Sequence, residues 1–169
     1  PAHEWLPEQY LPFTIYSIRS RALLSADGLK PVNRRILWSL FRSGVGPNSE
    51  HLKAARAAGD TVAFHPHASS SIEDALARMA QGFSLRVPLI DPYGSVGTVS
   101  GDTPASARYW ECRLTRAAVE LLGDVNDGAV VVGKNFDGKE DEPSLLPVKW
   151  PVNIINGTQG IAVGYASNM

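Results

Sequence analysis

The spacing of apolar residues between positions 31 and 83 constrains the fold more than any other feature of this sequence. A helix is predicted over residues 31–44, since proline suits a first helical position and glycine a C-terminal cap. Its apolar stripe consists of Ile36, Leu37, Leu40 and Phe41. A second helix is predicted over residues 70–81, where Ser70 and Glu73 have the spacing of a capping box. Its apolar face consists of Ile72, Ala75, Leu76, Met79, Ala80 and Phe83, so both helices need a shared core.

Short strands are predicted after the second helix. Residues 87–90 and 96–99 are strand candidates, and the sequence Asp-Pro-Tyr-Gly at 91–94 is typical of a turn between them. Two helices followed by a small β-hairpin are the outline of a winged-helix module. Further helices are predicted over residues 8–24 and from Tyr109 to about residue 122.

The composition changes near residue 124. Residues 143–169 are rich in Pro, Gly, Asn and β-branched residues and show no helical period. A segment of about 45 residues is too short to bury a core alone. The expected class is therefore α+β. Residues 1–124 are predicted to form a winged-helix (CAP-like) domain with an N-terminal helix, and residues 125–169 to begin a second domain that continues beyond this chain.

The net charge of −1 hides an asymmetric distribution. Residues 1–119 carry thirteen basic and ten acidic side chains, whereas residues 120–169 carry three and seven. The densest basic cluster is Arg19, Arg21, Lys30, Arg34 and Arg35, offset only by Asp27. Such a cluster is either a solvated face or a contact for nucleic acid. Asn33, Arg34 and Arg42 are predicted to face solvent or a partner.

Several classes of protein and site are disfavoured. No apolar run approaches the roughly 20 residues that span a bilayer, and the start at Pro1 resembles no signal peptide. The absence of an initial methionine leaves the natural limits of the protein open. The single cysteine, Cys112, excludes an intramolecular disulfide and suggests a reducing, cytoplasmic location. No G-x-x-x-x-G-K-[ST] loop is present, and His65-Pro66-His67 is more typical of a polar loop than of a metal site.

Arg108 and Tyr109 are predicted to lie together at the start of a helix. A tyrosine hydroxyl has a pKa of about 10 and is a poor nucleophile without help. A guanidinium stabilises phosphate charge, and a helix N-terminus favours anions at the same place. The combination fits attack by a phenolic oxygen on a phosphodiester, although an isolated pair of this kind is more often structural.

Seven motifs occur in a specific order along the chain. They are residues 20–23 (SRAL), 27–35 (DGLKPVNRR), 65–67 (HPH), 78–81 (RMAQ), 83–86 (FSLR), 107–109 (ARY) and 156–164 (NGTQGIAVG). Together they resemble the breakage-reunion subunit of bacterial type IIA DNA topoisomerases, which is the gyrase A subunit or its topoisomerase IV counterpart, over residues 10–168. The resemblance implies a winged-helix DNA-cleavage domain followed by the truncated start of an α/β tower domain.

The resemblance also implies roles for particular residues. Tyr109 matches the tyrosine that forms a transient 5′-phosphotyrosyl link, with Arg108, Arg21 and His67 as its catalytic partners. The positions implied to contact DNA are Arg19, Lys30, Arg34, Arg35, His65, Ser69, Ser70, Arg78 and Ile161, the last as a wedge between base pairs. Ser70 and Asp74 match positions where quinolones are anchored. Arg35→Ala is accordingly expected to weaken DNA binding and flatten its salt dependence.

The implied assembly is an ATP-dependent topoisomerase that acts on double-stranded DNA. One tyrosine per strand requires a homodimer, within a heterotetramer completed by a gyrase B-type subunit that holds Mg²⁺ and ATP. No metal site is expected in this chain, nor an association with the membrane.

The sequence also departs from the family pattern. Ala68 and Ser69 replace a Gly-Asp pair, Asn33 replaces a histidine, and residues 93–97 differ from a Gln-Gly-Asn-Phe-Gly-like run. The changes indicate a divergent member, and Ala68 is expected to alter the path of its loop because it lacks the conformational freedom of glycine. Two alternatives remain: a non-catalytic winged-helix module that acts by mixed assembly with a resident topoisomerase, and, less favoured, a small-molecule enzyme that uses Tyr109 as an acid or base.

Overall fold

The computed structural model of the chain describes residues 2–22, 24–162 and 164–169. Pro1, Leu23 and Val163 lie outside the described residues, so the motifs at 20–23 and 156–164 are described in part. The elements are α1 (Ala2–Ser17), a π-helix (Ile18–Ala22), α2 (Pro31–Arg42), β1 (Leu52–Lys53), α3 (Ala54–Val62), α4 (Ser69–Ala80), β2 (Ile90–Tyr93), β3 (Glu111–Leu114), α5 (Arg116–Leu122), a 3₁₀ helix (Val125–Asp127), β4 (Val132–Lys134), β5 (Asp141–Pro143), α6 (Val152–Asn156), β6 (Gln159–Ala162) and β7 (Tyr165–Asn168).

The class is α+β, as predicted. A three-stranded antiparallel sheet has the order β1-β3-β2, and β4–β5 and β6–β7 form two separate hairpins. Helices α2, α3 and α4 pack against one another, and α2 also contacts α5 and β3. Their apolar faces and the inner face of the three-stranded sheet share one core.

Helices α2 and α4 confirm the predicted apolar periodicity, because Ile36, Leu37, Ile72 and Leu76 are all fully buried. The predicted cap of α4 is wrong. The N-cap residue is Ala68, without a side-chain cap bond, and Ser70 lies inside the helix. In addition, Phe83 lies beyond the end of α4 and is exposed.

The strands differ from the prediction in a way that matters for Tyr109. The expected turn at residues 91–94 largely belongs to β2, and its partner is β3 rather than residues 96–99. The helix expected from Tyr109 begins only at Arg116. The buried residues Cys112 and Leu114 alternate with half-exposed neighbours, and this period of two is typical of a strand. In the sequence, the helical spacing of the apolar residues that continue into α5 hid this alternation.

The N-terminal helix begins earlier than predicted and ends in a π-helical turn at Ile18–Ala22. Many of its large apolar side chains are exposed. These are Trp5, Leu6, Tyr10, Leu11, Phe13, Ile15 and Tyr16. Among the described residues, no helix is long and apolar enough to cross a membrane.

Arg34 is buried, so the prediction that it faces solvent or a partner is wrong. Its guanidinium donates from Nε and Nη2 to the two oxygens of Asp27, at 2.6 and 3.1 Å. The turn at residues 25–28 ends in Gly28, at φ +74°, and folds Asp27 beneath α2. A buried guanidinium engaged by a carboxylate cannot reach a DNA phosphate without breaking the pair.

Residues 125–169 pack against the rest of the chain. Trp38 Nε1 donates to the carbonyl of Asp141 (2.9 Å), and the amide of Asn135 donates to the carbonyl of Ala63 (2.7 Å). Leu146 and Val152 are buried in the common core. The domain boundary near residue 124 stays a prediction, but the two segments are tied by buried contacts.

Because Arg34 and Asp27 are both buried, Arg34→Ala is expected to lower the free energy of unfolding by about 3–5 kcal/mol, since it leaves a carboxylate buried and unpaired. The control is Arg42→Ala, which breaks the exposed pair with Glu140 and is expected to cost less than about 1 kcal/mol. Urea unfolding measures both values. Equal losses in the two variants would contradict this account of Arg34.

Candidate functional site

Tyr109 lies on a surface turn that is held from both sides. Ala107 and Trp110, on either side of the Arg108–Tyr109 pair, are buried, and their carbonyls accept hydrogen bonds from the backbone N–H groups of Ala55 (3.0 Å) and Ala54 (3.1 Å) at the start of α3. The tyrosine side chain itself is 67% exposed. The fold therefore presents this phenol to solvent from a fixed backbone.

Arg108 places a positive charge over the tyrosine ring. Its Cζ lies 4.9 Å from the ring centroid of Tyr109, the geometry of a cation–π contact. The predicted adjacency of the two side chains is confirmed, but the expected helix N-terminus is not there, because β3 follows the turn. Any stabilisation of an anion beside Tyr109 must come from side chains rather than from a helix dipole.

A close backbone approach supports the same turn. A Cβ atom added to Gly94, at φ +125°, would lie 2.7 Å from Cβ of Trp110. A side chain at position 94 would therefore displace Trp110 and, with it, the turn that carries Tyr109.

A second cluster joins two histidines and two arginines. Arg21 Nη2 lies 2.8 Å from Nδ1 of His67, and Arg35 Nη1 lies 3.0 Å from Nδ1 of His65. The two imidazole rings meet edge to face, with centroids 4.5 Å apart. Arg21, His65 and His67 border an open groove that also involves Val32, Pro66, Ala68 and Ser71.

Both histidines are held neutral. Burial, followed by the nearby Arg35 charge, lowers the pKa of His65 from 6.5 to about 4. Burial and the adjacent Arg21 guanidinium also lower the pKa of His67. Because arginine has only donors, the Nδ1 atom of His65 that Arg35 binds must carry a lone pair. Arg21 contacts both ring nitrogens of His67, with Nη2 2.8 Å from Nδ1 and Nε 3.3 Å from Nε2. The imidazoles of this cluster are therefore hydrogen-bonding groups rather than cations at neutral pH.

The basic cluster seen in the sequence is partly neutralised inside the molecule. Arg34 is paired with Asp27, and Arg35 Nε donates to Glu142 at 2.6 Å. Arg19 and Arg21 are exposed. The basic cluster of the sequence is thus divided in the structure, because two of its arginines are paired inside the protein while Arg19 and Arg21 face solvent.

Lys30 and Arg78 line a cavity between α2, α4 and the C-terminal segment. Burial and the charge of Arg78 lower the pKa of Lys30. Asn156 and Thr158 lie in the same wall. Two cations that face one cavity favour an anion such as phosphate, which would relieve their repulsion.

The remaining predicted contacts are on the surface. Ile161 is 75% exposed on the β6–β7 hairpin, and β6 packs against the π-helix that carries Arg19 and Arg21. On α4, Ser69, Ser70 and Asp74 are exposed, and Ser70 and Asp74 share a face because they are four residues apart.

Ala68 needs no unusual backbone. Its φ of −54° and ψ of 129° are open to any residue, so alanine is unstrained here, and a loop path different from that of the family pattern stays a prediction.

Tyr109 and the histidine cluster lie at opposite ends of α3. The tyrosine turn is bonded to the first residues of this nine-residue helix, and His65 follows its last turn. At 1.5 Å per residue the helix is roughly 14 Å long. In the described part of the chain, no hydrogen bond or ring contact joins Tyr109 to Arg21, His65 or His67.

The sequence did not reveal Asp27 and Glu142 as partners of the basic residues. Asp27 was visible as the acid within the basic run, but Glu142 is 107 positions from Arg35 and gave no local signal. Among the described residues, no group of three or more His, Cys, Asp or Glu side chains converges as a metal site.

The lowered pKa of His65 makes stability depend on pH. The unfolded chain takes up a proton near pH 6.5 and the folded chain only near pH 4, so stability is full above pH 6.5 and falls as the pH drops towards 4. The groups that face His65 are Arg35, His67 and Arg21. Between pH 8 and pH 5 we expect a loss of about 2 kcal/mol in urea unfolding.

The control for this pH dependence is His65→Gln, which keeps a side-chain acceptor for Arg35 but cannot titrate. Its unfolding free energy is expected to change much less over the same range. A loss of the same size in both proteins would show that His65 is not the group responsible.

Comparison with known proteins agrees with the motifs. The family of A subunits of DNA gyrase/topoisomerase IV matches residues 21–169. The DNA gyrase A subunit of Staphylococcus epidermidis (strain ATCC 12228) is 46% identical over 164 residues, which cover 96% of this chain and 18% of the relative. The A subunit of Rickettsia prowazekii is 45% identical over 162 residues, which cover 95% of this chain and 18% of the relative. The A subunit of Staphylococcus aureus (strain NCTC 8325) is 46% identical over 164 residues, which cover 96% of this chain and 18% of the relative. The chain thus spans less than a fifth of the length of these curated relatives. On this similarity, and on the order of its motifs, the chain belongs to the family of DNA gyrase/topoisomerase IV A subunits.

Proposed function

We propose that this chain is the part of a type IIA topoisomerase that cuts and reseals DNA, with Tyr109 as the nucleophile. The observation that carries the proposal is the exposed Tyr109 phenol, fixed on a bonded turn with the Arg108 guanidinium over its ring. Family membership supplies the reaction class, since the relatives are named as DNA gyrase subunits.

The proposed reaction is a reversible transesterification. The Tyr109 oxygen loses its proton and attacks a backbone phosphorus, forming a 5′-phosphotyrosyl bond. The bond from phosphorus to the 3′ oxygen breaks, and that oxygen leaves as a 3′-hydroxyl after it gains a proton. Resealing reverses both steps, so this stage needs no ATP. Positive charge from Arg108 stabilises the non-bridging oxygens as charge builds on them.

Cationic side chains and one apolar side chain would hold the DNA. Arg19 and Arg21 suit contacts to phosphates, and Lys30 with Arg78 suits one phosphate between them. Ile161, on its hairpin, suits insertion between base pairs, which costs a few kcal/mol and is recovered by wider contact with bent DNA. His65 and His67, held neutral, would act as hydrogen-bond donors rather than as cations.

A homodimer fits the separation of the two clusters. Because roughly 14 Å of helix lies between the Tyr109 turn and His65, the two cannot grip one phosphate within a single chain. A second copy around a two-fold axis would bring the tyrosine of one chain towards the cluster of the other and would supply one tyrosine per strand. Within each chain we assign residues 1–124 to a winged-helix cleavage domain and residues 125–169 to the start of a tower domain.

We assign Mg²⁺ and ATP to a gyrase B-type partner. Mg²⁺ prefers oxygen ligands, whereas the groups near the proposed phosphate sites are arginines, a lysine and neutral imidazoles. The partner would supply carboxylates for the metal and the energy of duplex passage, and the assembly would act in the cytoplasm. Ser70 and Asp74, on one exposed face of α4, are the positions proposed to anchor a quinolone.

A second candidate function is a DNA-binding module that does not cut. It is favoured by Ser69, which starts α4 where the family pattern has a carboxylate. Such a chain would still bind DNA and would act by mixed assembly with a resident topoisomerase.

Tyr109→Phe is expected to abolish protein-linked DNA ends, because the nucleophilic oxygen is lost. The assay mixes the full-length protein and its partner with end-labelled DNA and Mg²⁺, and stops the reaction with detergent. Tyr93→Phe is the matched control, since Tyr93 is 70% exposed on the neighbouring β2. Linked ends that persist in Tyr109→Phe would exclude Tyr109 as the nucleophile, and the absence of linked ends from the unmodified protein would favour the non-cutting module.

Arg19→Ala is expected to weaken DNA binding on most DNA sequences. It should also reduce the magnitude of the slope of log K against log salt concentration by about 0.9, which corresponds to the loss of one phosphate contact. Arg19 is a sharper probe than Arg35, whose charge is offset by Glu142. The control is Arg116→Ala, an exposed arginine on α5. An unchanged slope in Arg19→Ala would remove this residue from the phosphate contacts.

A further inference from the structure

A carboxylate from the C-terminal segment reaches into the arginine–histidine cluster. Glu142 Oε1 accepts from Arg35 Nε at 2.6 Å, and the two side chains are only 12% and 18% exposed. A short charge-assisted bond that is shielded from water fixes orientation strongly. Removing one partner also leaves the other charge poorly solvated.

The backbone around Glu142 is anchored to α2. The carbonyl of Asp141 accepts from Trp38 Nε1 at 2.9 Å, and Glu140 is bonded to Arg42 at 2.6 Å. The N–H of Leu146 donates to the buried carboxylate of Asp27 at 3.1 Å. The Glu142 carboxylate is therefore held at a fixed place relative to Arg35, and is not a loose surface charge.

Arg35 uses the two sides of its planar guanidinium for two different groups. Nε is bound to Glu142, and Nη1 points to Nδ1 of His65 at 3.0 Å. Since arginine only donates, His65 Nδ1 accepts, and its proton is on Nε2. The imidazole of His65, 4% exposed, then meets that of His67 edge to face.

We propose that Glu142 is a positioning residue of the proposed cleavage site: it fixes the Arg35 guanidinium so that Arg35 holds His65 in the neutral tautomer protonated on Nε2. The edge-to-face contact with His65 in turn fixes the orientation of the His67 ring, whose Nδ1 is bound by Arg21. The catalytic role of Glu142 rests on the proposed function. The tautomer of His65, however, can be measured without any reaction.

The alternative role for Glu142 is only to attach the C-terminal segment to α2. The pair of Glu140 and Arg42 provides a comparison, because it joins the same hairpin to α2 with a bond of the same length and does not touch a histidine, although it is more exposed. Glu140→Ala and Glu142→Ala each remove a carboxylate from that hairpin. A role in attachment alone lowers stability and leaves the His65 tautomer unchanged, whereas a positioning role changes the tautomer in Glu142→Ala only.

The first measurement is the tautomer of His65, by nitrogen NMR on full-length protein with labelled histidine. His65→Gln assigns the signal. The unmodified protein and Glu140→Ala are expected to show one Nε2–H tautomer, and Glu142→Ala a mixture. An unchanged single tautomer in Glu142→Ala overturns the proposal. If that variant does not fold, Glu142→Met replaces it, because methionine fills a similar volume without an oxygen acceptor for Arg35 Nε, and the same criteria apply.

The second measurement is the rate of Tyr109-dependent DNA linkage in the complete assembly. Glu142→Ala is expected to lower it at least about tenfold through misplacement of the cluster. Glu142→Gln, which keeps an oxygen acceptor for Arg35 Nε, is expected to restore it to within about threefold. Equal losses in Glu142→Ala and Glu140→Ala overturn the positioning role. Absence of any Tyr109-linked product in the unmodified protein refutes the proposed function instead, and the NMR result then decides the inference alone.

Discussion

The architecture depends on one buried carboxylate, that of Asp27. Its two oxygens accept four hydrogen bonds: two from the Arg34 guanidinium and one each from the backbone N–H groups of Leu29 and Leu146. These bonds join the turn before α2, the helix itself and the C-terminal segment. A buried charge is tolerated only when it is paired and fully hydrogen-bonded, so this arrangement admits few alternatives. The path of the chain past Leu146, and hence the position of β5, depends on it.

The electrostatics of α2 follow from the same arrangement. The helix brings three arginines, Arg34, Arg35 and Arg42, and each is paired with a carboxylate in the structure. Two of those carboxylates belong to the acidic segment near residue 140. The opposite charges of the two halves of the chain thus meet in the folded protein. The proposed phosphate contacts therefore fall to Arg108 beside Tyr109 and to the cations before α2 and on α4, which lie beside the Ile161 hairpin and the cavity that Lys30 shares with Arg78.

Helix α3 separates the two groups that phosphodiester chemistry would need. Its first residues bond to the turn that carries Tyr109, and its last turn is followed by the histidines. A rigid helix between a nucleophile and its supporting cluster makes the distance between them a property of the fold. For the proposed reaction, pairing of the chain with a second copy would then be a requirement of the chemistry and not an addition to it.

The sequence by itself determined the features that depend on local periodicity and on residue type. The amphipathic patterns of α2 and α4 identified two core helices, because a helical stripe is legible from spacing alone. The order of short motifs identified the family, and the adjacency of Arg108 and Tyr109 follows from their succession in the chain.

Only the tertiary structure decided which partner each polar group takes. Residues 111–114 form a strand although helical periodicity continues through them, because β2 and β1 offer backbone partners on both edges. Arg34 and Arg35 look alike in the sequence, yet one is buried on Asp27 and the other bridges Glu142 and His65. Ion pairs between residues more than a hundred positions apart leave no mark on local spacing. They form only where folding brings charges together and removes the water between them.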